Sequence, residues 1–135
     1  MTVMADGVGS TSETEWLTHL ATGPEPFALS VLALSGLVRI TTNRRVFKRP
    51  STLDEVFAFV TQLAQRPTAR VVAPGPEHLA LFEQLCRESG ASGKLVADAQ
   101  HAAIAIEHGC TMATTDSDYD RFPGLRWQHP LRPGE

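Results

Sequence analysis

The sequence predicts a single α/β domain, and three observations predict it. Segments with helical spacing alternate with short apolar runs, the pattern of strands connected by helices. No internal repeat is present, and 135 residues suit one ordinary domain that buries a core without covalent staples. With 42% hydrophobic and 20% charged residues and a net charge of -3, the composition excludes disordered, collagen-like and strongly basic classes. Cys86 and Cys110 lie 24 residues apart with no CxxC and no paired-His spacing, so neither a disulfide framework nor a zinc site is encoded. A reducing cytoplasm is the expected compartment.

The first fifteen residues, MTVMADGVGSTSETE, contain neither a basic start nor an apolar run of signal-peptide length, and residues 1–12 are expected to be irregular. Ser12 with Glu15 makes a capping-box start for a helix over about Glu13 to Ala21, where Trp16, Leu17 and Leu20 recur before the breaker GPEP. Phe27 to Leu29 reads as a short strand. Ser30 caps the next helix, whose buried face is expected to carry Val31, Leu34, Leu37, Val38 and Thr41. The apolar window 26–40 is shorter than the ~20 residues of a membrane-spanning helix, so no membrane association is expected.

After the basic turn NRRVFKRP, Ser51 and Asp54 signal a helix start, and Leu53, Val56, Phe57, Val60 and Leu63 then share one side until Pro67. Of the apolar residues there, Leu53, Phe57 and Phe59 are candidate homodimer contacts, with ordinary core packing the simpler reading. Arg70 to Ala73 is a strand, and Glu77 to Ser89 a helix closed by Gly90. An Ala-rich helix runs from about Leu95 to His108. TMATT is then a buried strand, SDYDRF a turn or short helix, and LRW the last strand.

Asp98 sits near the start of the Ala-rich helix, where it can be a cap or a ligand. Asp116 follows the strand Thr111 to Thr115 directly, beside Thr114 and Thr115, at the end where open α/β sheets place their ligands. Asp118 and Asp120 continue the acidic series but lack the glycine and distal Glu of a calcium loop, and a solvated turn explains each of them. If Asp98 and Asp116 meet, two neighbouring carboxylates require a compensating cation. A hard divalent ion that takes one or two carboxylates, waters and phosphate oxygens answers that need, with phosphodiester hydrolysis as the reaction class. Arg39, Arg44, Arg45, Lys48 and Arg49 place five cations in eleven positions, suited either to phosphate contacts or to a solvated helix end. The five histidines form no HExxH or triad grouping, and no GxGxxG, P-loop or GxSxG occurs.

The segments GPEPFALSVLALSGLVRITTNRRVF, TLDEVFAFV and VADAQHAAIAIEHGCTMATTDSDYDRFPGLRW, in this order, resemble the PIN-domain ribonuclease toxins of the VapC family, especially its mycobacterial branch. The resemblance covers about Glu15 to Pro130. It implies a three-layer α/β/α sandwich around a mostly parallel sheet. It also implies an endoribonuclease that uses Mg2+ or Mn2+ bound by clustered acids, is inhibited by a cognate antitoxin, and is commonly dimeric. Asp98 and Asp116 match two metal-binding positions of the family, and Asp118 is a further candidate acting through a water. Two departures stand out. Ser35 and Gly36 fall where the family usually has an acid in its second helix. Nothing in MTVMADGVGSTSE resembles the family's first strand, which ends in a metal-binding Asp, and Asp6 follows no predicted strand.

Two functions follow from this reading. One is a toxin that cleaves RNA with a metal at Asp98 and Asp116. The other is a truncated PIN-like module, lacking the first strand, that binds antitoxin or RNA without cutting. The second carries the expectation that a chain extended at its N-terminus would be more stable and more active.

Overall fold

The computed structural model describes residues 1–4, 22–114 and 116–129. The helix predicted over Glu13 to Ala21 lies outside these residues. In chain order the elements are strand β1 (Thr2–Met4), strand β2 (Phe27–Ser30), helix α1 (Val31–Thr41), helix α2 (Leu53–Ala64) and strand β3 (Ala69–Val72). Helix α3 (His78–Ser89), helix α4 (Lys94–Glu107), strand β4 (Thr111–Ala113), a 3-10 helix (Ser117–Arg121) and strand β5 (Trp127–Gln128) follow.

The strands form one sheet in the order β3-β2-β1-β4-β5, and every neighbouring pair is parallel. Its centre corrects the expectation of a missing first strand and an irregular start. Val3 lies opposite Ala28 of β2 and Met112 of β4, and is 2% exposed. Three residues are too few for strand periodicity to show, which needs runs of ~4–8. What makes Thr2–Met4 a strand is the pair of open ladders on either side of it, whose backbone groups would otherwise be buried without partners.

Alternation along β2 divides the core. Phe27 and Leu29 point to one face and pack with Leu63 of α2 and the half-buried Leu34 of α1. Ala28 points to the other face, where Val3, Met112, Leu85 of α3 and the Ala-rich α4 form the larger cluster. The result is the expected three-layer arrangement, with α1 and α2 over one face and α3 and α4 over the other. Ala99, Ala102, Ala103 and Ala105 are wholly buried, so α4 approaches both sheet and α3 closely.

Three local readings change. Thr52, not Ser51, caps α2, because Glu55 lies three residues on and completes a reciprocal capping box with it at 3.1 and 3.2 Å. On α1 only Ala33 is fully buried, while Val31 is exposed and Leu34, Leu37, Val38 and Thr41 are half-buried, and Leu37 lines a cleft beside the helix. Leu53, Phe57 and Phe59 are 59%, 52% and 37% exposed, so the core-packing explanation fails for these three. Ser30 does cap α1, accepting from Leu32 N at 3.2 Å, and Gly90 ends α3 in the left-handed region at φ 64°.

Candidate active site

Strand order reverses at β1: β2 and β3 extend the sheet on one side of it, and β4 and β5 on the other. In parallel α/β sheets the crevice at the carboxyl ends of the strands at such a reversal is where ligands bind. Asp116 comes three residues after the end of β4, and Asp98 projects from α4, the helix that leads into β4.

Asp98 is 1% exposed. It is the fifth residue of α4, whose N-cap is Gly93, and no side chain caps that end, so the capping explanation for Asp98 is removed. A carboxylate at this depth is costly unless it is paired and hydrogen-bonded. Tyr119 Oη donates to Asp98 Oδ1 at 3.3 Å, and Lys94 Nζ donates to Oδ2 at 3.1 Å. The same Nζ donates to Asp116 Oδ2 at 2.6 Å, so one ammonium spans both carboxylates.

Asp116 is fixed from its other side as well. Its Oδ1 accepts from Asp118 N at 2.9 Å, which caps the 3-10 helix, and its own N–H donates to Thr114 Oγ1 at 3.1 Å. The Lys94 hydrogen bond is the main cause holding the Asp116 carboxyl below the usual carboxylate range. The bond to Asp116 likewise raises the Lys94 ammonium above the ordinary lysine value.

Asp98 and Asp116 are thus brought together. Asp118 joins them through its backbone N–H, and among the described residues no three acidic, His or Cys side chains converge on one point. Asp120 accepts from Trp127 Nε1 at 2.9 Å and serves the packing of β5. Thr115 and Asp6 lie outside the described residues. In sequence, however, Asp6 now stands two residues beyond a strand, which corrects the reading that it follows none.

A cleft of about 700 Å3 opens between α1 and α4, and Ser35, Gly36, Arg39, Lys94, Asp98 and His101 are among the residues that line it. Arg39 therefore belongs to the cleft. Arg44, Arg45, Lys48 and Arg49 are exposed in the segment that follows α1, so the basic run continues from the cleft onto the surface.

Two site residues, Lys94 and Tyr119, escaped the sequence reading. Lys94 is the first residue of α4, where a cation opposes the helix dipole, and it stands four residues before Asp98. That misplaced charge was the available signal. Tyr119 is the chain's one tyrosine, set between two aspartates, and it is wholly buried.

The profile of the PIN domain matches residues 3–125. The chain is 40% identical to ribonuclease VapC25 of Mycobacterium tuberculosis over 115 residues, spanning 85% of this chain and 81% of that one. It is 32% identical to ribonuclease VapC33 of the same species over 117 residues, spanning 87% and 82%. Among solved structures, VapBC-1 from nontypeable Haemophilus influenzae matches with a TM-score of 0.68 at 13% identity, over 98% of this chain and 100% of that one. VapBC2 from Rickettsia felis, bound to a promoter DNA fragment, matches with a TM-score of 0.64 at 16% identity, over 96% and 98%. A profile that begins inside β1, together with relatives aligned along most of both lengths, places the chain in the PIN-domain family, within its VapC ribonuclease branch.

Proposed function

We propose that this protein is the toxin of a toxin-antitoxin module, a cytoplasmic endoribonuclease that hydrolyses RNA phosphodiester bonds with Mg2+ or Mn2+ held by Asp98 and Asp116. The observation that carries the reading is the buried Asp98 carboxylate sharing one cation with Asp116 at the reversal point of the sheet. The names of its relatives, all ribonucleases, support the activity. The toxin-antitoxin assemblies among its structural neighbours support a cognate antitoxin as partner.

The donor set fits a hard divalent ion: two carboxylates, one of them wholly buried, with a monovalent cation already between them. When bound, such an ion supplies Lewis acidity to the phosphate and lowers the pKa of water. The chain's own residues do the rest. Asp98 is held rigidly from within the core, with Tyr119 Oη fixing one of its oxygens. Asp118 contributes a backbone N–H that orients Asp116, and its exposed carboxylate would act through a water. Arg39 offers charge to a phosphate inside the cleft, and Arg44, Arg45, Lys48 and Arg49 extend that charge along the strand of RNA. The exposed Leu53 and Phe57 on α2 offer apolar surface to the antitoxin or to a second copy of the chain.

The alternative of a truncated, non-cleaving module rested on a missing central strand and the carboxylate at its end; β1 fills the strand's position, and Asp6, two residues beyond it, lies outside the described residues. The test is cleavage of RNA by the purified chain with Mn2+, with EDTA, and after Asp98→Asn. The expected result is cleavage with Mn2+ alone, falling by about 100-fold or more in the variant. Equal cleavage by wild type and Asp98→Asn would sink the assignment.

A further inference from the structure

We propose that Lys94 is a built-in occupant of the cation position, whose ammonium holds the Asp98 and Asp116 carboxylates until a divalent ion displaces it, so that Lys94 sets how tightly the site takes metal. This rests on the reading of the pair as a metal site. The contacts are to Oδ2 of both aspartates, at 3.1 and 2.6 Å, so the ammonium occupies the place between the two carboxylates that would hold an ion. A small divalent ion needs its oxygens at about 2.0–2.1 Å. Ammonium and ion therefore compete for one small volume, and their like charges forbid joint occupancy.

Lys94 is also built to leave. It stands at the first position of α4, where the dipole disfavours a cation, and its side chain is 64% exposed, so it can swing into water. A surface ion pair of the ordinary kind would be worth little and would have no bearing on metal. Here one partner is Asp98, at 1% exposure, which cannot turn to water when the lysine departs. A buried carboxylate favours a cation in the place the lysine vacates. Metal binding and the Lys94 contact are thus exclusive states of one site, and each opposes the other by the same factor.

The experiment is calorimetric titration of the full chain with Mn2+ for wild type, Lys94→Gln, Arg39→Gln and Asp98→Asn, with thermal melts in EDTA and in saturating Mn2+. Arg39 lines the same cleft and forms no ion pair among the described residues, so it controls for loss of a nearby charge. Expected are an affinity about ten-fold tighter or more in Lys94→Gln, a change of less than about three-fold in Arg39→Gln, and no binding in Asp98→Asn. Lys94→Gln should melt below wild type in EDTA and level with it in Mn2+. Wild-type affinity in Lys94→Gln, or an equal gain in Arg39→Gln, overturns the displacement while leaving the metal site standing. Absence of Mn2+ binding in both wild type and Lys94→Gln, or its persistence in Asp98→Asn, overturns the metal site and the displacement together.

Discussion

Two buried or half-buried side chains carry predictions of their own at the residue scale. Tyr119 packs its ring against Phe122 at 5.8 Å between centroids while its hydroxyl reaches Asp98. Tyr119→Phe keeps the ring and removes a donor to a buried charge, so it is expected to destabilise the fold by about 1–3 kcal/mol, read from urea unfolding at neutral pH. Glu107 accepts from Gly75 N and Glu77 N, each at 2.9 Å, tying the end of α4 to the segment before α3. The Gly75 hydrogen bond is the leading cause of its lowered carboxyl pKa. A pKa lowered on folding stabilises the native state above the ordinary Glu value of about 4.3, and the contribution is lost as pH falls through the folded value. Glu107→Gln should therefore melt below wild type at pH 7, and the gap should narrow as pH falls below the ordinary Glu range. A gap that persists in acid would rule out the ionised carboxylate as its source.

At the scale of elements, α4 is the part on which the site depends. It places Lys94 and Asp98 one turn apart at its start and fills the space between sheet and α3 with alanines. Ala103 is wholly buried, so Ala103→Leu has nowhere to put three added carbons. The expected cost is about 1–3 kcal/mol in chemical denaturation, with a loss of Mn2+ binding if α4 shifts outward. The caps teach how far a sequence specifies its own element ends. Ser51 and Thr52 are both capping residues, but only Thr52 has a Glu three positions on, whose longer side chain closes the reciprocal box. Ser51 is followed at that spacing by Asp54, one methylene shorter. That distinction was legible in the sequence, whereas the half-burial of α1 was not, because apolar spacing marks a face without saying how completely neighbouring elements cover it.

For the whole molecule the decisive feature is the central strand. Removing residues 1–4 would leave β2 and β4 with unpaired backbone in the middle of the sheet, and the expected outcome is loss of a cooperative thermal transition by circular dichroism. An unchanged melt would mean that β1 contributes little. By itself the sequence determined the alternation of strands and helices and the Ala-rich helix, which are written in periodicity and composition, and it put Asp98 and Asp116 forward as candidates whose meeting the folded chain had to decide. Only the tertiary structure decided that Thr2–Met4 is a strand, that Lys94 bridges Asp98 and Asp116, and that Tyr119 reaches into the site. The reason is physical. Three residues carry no period, and a contact spanning 22 positions has no local signature, so both exist only once neighbouring strands and a folded helix supply the partners.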